Sequence, residues 1–352
     1  MRKPLLPLVV LLGAAWVLTT WSAHAARAIV VSTTIQAAIN AARPGDTVRV
    51  PPGIYRENVL VTQDNITIQG SVGAIMDGTG LAGDTGITVT PVDPATRITG
   101  FRLTGLRIQN YSDNGVFLVH VDDFHISRGE YMDNAEYGIF PVLSSNGVID
   151  FNRVSGANDT GIYVGQSKAV AIKQNHVTDC TVGIEVENSA DITVDNNTAI
   201  GNSVGILVSL LPGLDVTTSQ DITVTNNVLN RNNRPNPATD PDDPLSQLPS
   251  GIGFLNLGSD SVKVQDNTVT HNKSAGIAIV QVPPELAGSD PFPDNNVVRH
   301  NVAVQNGGDP DPKLAPFPGS DLLWDLSGTG NCWARNVFQT AFPTLPPLPV
   351  CP

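Results

Sequence analysis

The chain has 352 residues, 15% of them charged and 5% aromatic, with a formal net charge of −13 and three cysteines. An acidic balance with no basic cluster excludes nucleic acid and anionic membrane surfaces as partners. It also repels a polyanionic ligand unless cations intervene.

Arg2 and Lys3 precede the apolar run Leu5–Leu18, and Ala23-His24-Ala25 supplies a small-x-small cleavage site. Residues 1–25 therefore read as a secretory signal peptide. The run of 14 residues is shorter than the roughly 18–20 that cross a bilayer. Its removal leaves 327 residues with a charge of −15. The expected product is exported, periplasmic or extracellular, without a membrane anchor, and a monomer. No lipid-carrying cysteine follows the signal, because the earliest cysteine is Cys180.

"IQAAINAA" places Ile35, Ala38 and Ile39 on one helical face; "RPGD" ends that helix and "TVRV" begins a strand. Gly-apolar pairs then recur at Gly115, Gly138, Gly161, Gly183 and Gly205, in steps of 23, 23, 22 and 22 residues. Further copies are read at Gly251 and Gly276. A second column runs through Asn152, Asn175, Asn197, Asn227 and Asn267, mostly preceded by apolar pairs such as Val170 and Ile172 or Ile192 and Val194. The fixed period marks a solenoid, and alternation of two with β-branched residues makes its elements strands. The Leu-x-x-Leu-x-Leu frame of a leucine-rich repeat is missing. The reading is all-β: a parallel β-helix over residues 26–330, with a short N-terminal capping helix. Stacked Asn side chains hydrogen-bond along the axis where each coil turns. Residues 331–352 form a Pro-rich tail bracketed by Cys332 and Cys351. A disulfide there closes a loop of about 20 residues, worth roughly 3 kcal/mol, and leaves Cys180 as a small buried residue.

"IQAAINAARPGDTVRVPPGIYRENV" and the repeats resemble the right-handed parallel β-helix superfamily typified by pectate lyases. "YGIFPVLSSNGVI", "DTGIYVGQS", "GIEVENS" and "WDLSGTGNCWARN" are more closely similar to exported bacterial parallel β-helix repeat proteins. The resemblance implies the fold; the superfamily holds lyases, hydrolases, epimerases and proteins without known activity.

Stacking turns sequence columns into surface columns. Two residues after each Gly the column reads Phe117, Phe140, Tyr163, Glu185, Leu207; four after, it reads Val119, Val142, Gly165, Glu187, Ser209. Both are expected to face solvent, with the aromatics forming a platform for sugar rings. Two before the Gly stand Asp113, Glu136 and Asp159. Carboxylates about 5 Å apart repel by roughly 1 kcal/mol in water and about 3 at an effective dielectric of 20. Splayed solvated turns, a bound calcium ion on Asp113, Glu136 and Asp159, or a site using shifted carboxyls each account for that column. Insertions at 211–218, 231–250 and 281–294 emerge beside the same sheet and are placed to wall a groove.

The functional expectation is a polysaccharide or other elongated sugar ligand along this groove, with catalysis as a lyase or glycoside hydrolase left open. Asp159, Glu136 and Glu185 are the catalytic candidates. Tyr163, Phe140, Phe117, Gln166, Glu187, Asn188 and His120 are the ligand-contacting ones. A lyase needs a cation to neutralise a uronate, for which only Lys168 offers itself near the rim. Asp122-Asp123 falls in a turn away from the groove. "YGIFPV" departs from the alginate-epimerase signature, with Phe140 and Val142 where that signature has Asp and His. The alternatives are a non-catalytic carbohydrate-binding or cell-envelope scaffold, and a periplasmic metal-processing factor. Copper handling is disfavoured because the histidines are scattered and only Met76 and Met132 follow the signal.

Overall fold

A computed structural model describes residues 25–283, 286 and 290–352. The expected signal peptide therefore lies almost wholly outside the described residues, as does part of the 281–294 insertion. The described chain winds into a right-handed parallel β-helix whose strands form three parallel sheets of 14, 10 and 11 strands. The first sheet runs from Ala28–Val30 to Cys332–Ala334, the second from Gly53–Tyr55 to Val302–Val304, and the third from Val59–Val61 to Ala341–Phe342. The first coil begins earlier than "TVRV" suggests, because Ala28–Val30 pairs in parallel with Thr47–Val50.

One rung shows how the sequence makes the coil. Thr160–Gly165 lies in the third sheet, Lys168–Lys173 in the first and His176–Thr178 in the second. Its inward residues Ile162, Val164, Val170, Ile172 and Val177 are buried. Each stacks on its counterpart in the next rung: Ile162 on Ile184, Ile172 on Val194, Val177 on Ala199. Period-two alternation thus becomes one continuous core down the axis.

The repeated glycines are required by close approach. A Cβ on Gly183 would stand 2.6 Å from the Gly205 carbonyl oxygen and 2.9 Å from Asn202 Nδ2, contacts a side chain cannot make without displacing backbone. The same crowding holds at Gly161 and Gly205. Gly251 does not belong to this column. The strand register pairs Val204 with Ile252, which puts Gly253 beside Gly205. Gly251, at φ +90°, instead ends the preceding insertion.

Asparagines fill the interior turns. Asn152 donates its amide to Asn175 Oδ1 at 3.0 Å, and the pattern repeats through Asn197, Asn227, Asn267, Asn301 and Asn336 at 3.0–3.1 Å. A second ladder, five residues further along each rung, links Asn202, Asn232, Asn272 and Asn306 and ends on the Asp321 carboxylate. Cys180 occupies the equivalent place one rung before Asn202. Its backbone N–H donates to Asn202 Oδ1, and burial pushes its thiol up to about 12.

The N-terminal end of the coil is covered, which removes an edge that would otherwise pair with other chains. The helix Ile35–Ala41 buries Ile35, Ala38 and Ile39 against one end. Thr34 caps it, and the Glu57 carboxylate accepts from Ile35 N and Gln36 N at 2.7 and 2.9 Å. At the other end Cys332 and Cys351 are disulfide-bonded. The coil continues into that tail, since Cys332–Ala334 pairs with Val297–Arg299. No helix among the described residues is long and apolar enough to cross a membrane.

Candidate active site

The outer face of the third sheet is covered from Thr160 onward, contrary to the solvent-facing columns expected above. Tyr163, Glu185, Leu207, Leu255 and Ala278 succeed one another in register, and all are buried. The cover comes from residues 231–250 and 308–319, with Leu211, Gln281, Pro283 and Leu286 of the other two insertions also lining the space beneath. Of the two covering segments, the second goes unmarked in the repeat pattern. Lys313 Nζ ties the two together by donating to Ser246 O at 2.6 Å, and Asp311 accepts from Ser250. Between cover and sheet lies a cleft of about 650 Å³.

Its polar floor gathers side chains from three rungs. Tyr137 OH donates to Asp159 Oδ2 at 2.8 Å, and Tyr163 OH donates to Glu187 Oε1 at 2.6 Å. Thr160 Oγ1 lies 3.0 Å from Asp159 Oδ1 and 2.8 Å from Glu185 Oε2, which keeps those two carboxyls within about 6 Å of each other. A hydroxyl has one hydrogen. Both contacts are satisfied when a protonated Glu185 donates to Thr160 and Thr160 donates to an ionised Asp159.

The electrostatics agree with that direction. Burial raises the Glu185 carboxyl well above the usual range, and the neighbouring Glu187 and Asp159 add to the effect. Asp159 is held up to about 6, chiefly by burial, against the hydrogen bonds from Tyr137 and Thr160. Glu187 is raised by burial, with Tyr163 opposing. Both phenols are pushed upward by burial and by the carboxylates they face.

Of the expected site residues, Asp159, Glu185, Glu187 and Tyr163 line this cleft. Tyr137 and Thr160 are additions. The alternation breaks at the glycine, so Gly183 and Ile184 both face the core while Val182 packs outside. Tyr137 and Thr160, the equivalents of Val182, therefore turn outward where a strict period of two places them inside. Phe117 and Phe140 stay half-buried in an aromatic cluster beside the cleft, where Tyr137 stacks on Phe140 at 4.2 Å and Phe117 lies 5.1 Å from Phe140.

Other expected members are placed elsewhere. Glu136 is exposed outside the cleft lining, although it follows Asp113 and precedes Asp159 on consecutive rungs. His120, Gln166 and Asn188 occupy one corner in left-handed backbone, at φ 55°, 49° and 43°. Asn188 is buried, with its amide bonded to Leu211 and Val216, and Gln166 Oε1 accepts from Asp215 N. These two hold the 211–218 insertion in place, and His120 does not reach the cleft. Lys168 pairs with Asp191 at 3.4 Å, while Asp122 and Asp123 pair with Arg97 and Arg102.

No group of three or more His, Cys, Asp or Glu among the described residues is arranged to hold a metal ion. Asp113, Glu136 and Asp159, the expected calcium ligands, form no such group. Asp113 is engaged by Thr85 and Asn114, and Asp159 turns to Tyr137 and Thr160, so the carboxylates do not converge on a common point.

A family model described as periplasmic copper-binding protein (NosD) matches residues 46–243. The chain belongs to the NosD family. A model described as right handed beta helix region matches residues 209–309 of this NosD-family chain. No curated protein sequence matches it. Among solved structures it is similar to the A-module of mannuronan C-5 epimerase AlgE4 from Azotobacter vinelandii, with 16% identity, a TM-score of 0.62, and 87% of this chain and 92% of that one covered. A double mutant of the periplasmic alginate epimerase AlgG gives 16% identity and a TM-score of 0.63 over 84% and 70% of the two chains. A DFA-IIIase from Arthrobacter chlorophenolicus gives 15% identity and a TM-score of 0.54 over 93% and 98%. Identities this low speak for the fold.

The family description raises copper, and the described donor set does not suit it. Soft thioether and thiolate or clustered imidazole ligands are what copper prefers. Here Met76 and Cys180 are sealed in the core, Met132 accepts from Ser155, and His125 is bonded to Asp150.

Proposed function

We propose that this NosD-family protein binds a neutral carbohydrate in the cleft and hydrolyses or transfers it by acid–base chemistry between Asp159 and Glu185. The observation that carries the reading is the Thr160 hydroxyl linking these two carboxyls from adjacent rungs. A carboxyl pair about 5–5.5 Å apart is the spacing of a double-displacement glycosidase, whereas a single-displacement pair stands about 6.5–9.5 Å apart. In this reading Asp159, ionised and steadied by Tyr137, is the nucleophile. Neutral Glu185 protonates the leaving oxygen and then serves as base toward water. Tyr163 and Glu187 offer further hydrogen bonds to sugar hydroxyls. The named activities of the epimerase and DFA-IIIase neighbours support a sugar as ligand.

A lyase or epimerase acting on uronates is disfavoured. It must neutralise the substrate carboxylate, and the one basic residue lining the cleft among the described residues, Lys313, has its ammonium engaged by Ser246 O. The family description and the expected signal peptide support export to the periplasm as part of the proposal.

Neutral and uronate oligosaccharides, assayed in parallel for new reducing ends and for ultraviolet-absorbing unsaturated products, test the reading. Reducing ends from a neutral substrate, abolished by Asp159→Asn, are expected. Unsaturated products from a uronate, or turnover that survives Asp159→Asn, would overturn it.

A further inference from the structure

The cleft has two chemically unlike halves arranged along the helix axis. At one end the outward side chains are acidic and phenolic: Tyr137, Asp159, Tyr163, Glu185 and Glu187. In the next rung the same columns change character. Glu185 is followed in register by Leu207, Leu255 and Ala278, and Glu187 by Ser209, Leu257 and Val280. Three rungs at about 4.8 Å each give an apolar floor on the order of 10 Å long.

The cover is mixed, with Asp243, Gln247 and Lys313 beside apolar side chains. Above the apolar floor stand Leu245 and Leu248 from residues 231–250, and Leu314 and Phe317 from residues 308–319. These side chains pack on the outer cluster yet leave the cleft open between them. A cavity of about 650 Å³ is of the size that encloses a single small ligand, in the range of roughly 300–1,000 Å³.

A bare sugar matches only the acidic half. Its hydroxyls find partners at the carboxyls and phenols, but nothing on it fits a lined aliphatic trough, which would stay wetted at a cost in free energy. At the junction between the halves Ser209 lines the cleft, its hydroxyl buried against Glu185.

We infer that the cleft takes an amphipathic glycoconjugate, with the sugar on the Asp159–Glu185–Glu187 floor and an aliphatic chain along Leu207, Leu255 and Leu257. The inference rests on the sugar-binding reading above and narrows its substrate class to sugars joined to an alkyl or isoprenoid chain.

The test is calorimetric titration of the full chain with methyl, hexyl and octyl glycosides of glucose, galactose and mannose below their micelle concentrations, with octanol as control. For at least one sugar, affinity is expected to climb with chain length, approaching about fourfold per buried methylene. Leu257→Gln is expected to flatten that climb, read as the ratio of octyl to methyl affinity. If this variant does not fold, Val280→Thr, half-buried at the rim, is used for the same readout. Equal binding of methyl and octyl glycosides overturns the inference and leaves the sugar reading standing. Octanol binding as tightly as every octyl glycoside overturns it because the head is not read. No binding by any probe overturns both.

Discussion

Asp159 and Glu185 sit on adjacent rungs of the third sheet and meet through the single hydroxyl of Thr160, at 3.0 and 2.8 Å. With Tyr137 behind Asp159, this makes a continuous chain of hydrogen bonds through both carboxyls. Thr160→Val keeps the shape and removes the link. Turnover of whichever sugar the protein accepts is expected to fall by about 10²-fold or more, on the scale of losing a positioned acid–base partner. Steady-state kinetics and a thermal melt on the same preparation separate this from a loss of fold, which is expected to cost about 1–3 kcal/mol for the two carboxyls left short of a partner.

The raised carboxyls also set a pH dependence of stability. Asp159 has a folded pKa of about 6, lifted mainly by burial, and an unfolded one near 3.9. The folded state therefore holds the proton more tightly, and the contribution is fully present below the unfolded value and lost as pH rises through about 6. Glu185 and Glu187 shift in the same direction. The unfolding midpoint is expected to rise as the buffer moves from about pH 7.5 to 5.5. Asp159→Asn should flatten the profile between those pH values by at most about 0.8 kcal/mol, discounted for the part of the carboxyl open to the cleft. A profile unchanged by the substitution would show that this carboxyl titrates normally.

Gly183→Ala tests the packing account of the repeat. Its Cβ would press on the Gly205 carbonyl at 2.6 Å, and a loss of about 1–3 kcal/mol in denaturant unfolding is expected for such overpacking. Gly308→Ala is the control, because a Cβ there meets nothing within 4 Å. Equal effects from the two would refute the account.

Asn227→Ala opens a gap in the first ladder. Asn227 Nδ2 donates to Val194 O and Asn267 Oδ1, and its own oxygen accepts from Asn197 N and Nδ2. A cost of about 2–4 kcal/mol follows from stranding several buried groups. Hydrogen exchange at the Asn197 amide is expected to accelerate beyond that of amides several rungs away.

The coil was legible in the sequence because its causes are local. Ile162, Ile172 and their equivalents repeat every rung, and the Gly and Asn columns mark positions where a Cβ clashes or a turn needs an amide. Asp159, Tyr163, Glu185 and Glu187 were legible for the same reason, since register alone puts them on one face. Tyr137 and Thr160 were not, because the break in alternation at the glycine reverses which neighbour faces out. The second Asn ladder is visible only once Cys180 and Ala157 are seen to interrupt it. The cover over the sheet depends on contacts such as Lys313 with Ser246, 67 residues apart, and no periodicity encodes those. That is also why the aromatic and acidic columns were expected in open solvent.

The second ladder closes on Asp321, which accepts from the Asn306 amide and also from Gln339 N and Thr340 N. Within that row each amide donates to the next member toward the C-terminal end, so the row has a direction, and a group that only accepts suits its last place. Duplicating or deleting a whole coil upstream of Asn306 preserves that order, whereas a coil appended after Asp321 would inherit a neighbour with no hydrogen to give. Change in length is thereby steered to the interior of the array, and the C-terminal end acts as a fixed stop.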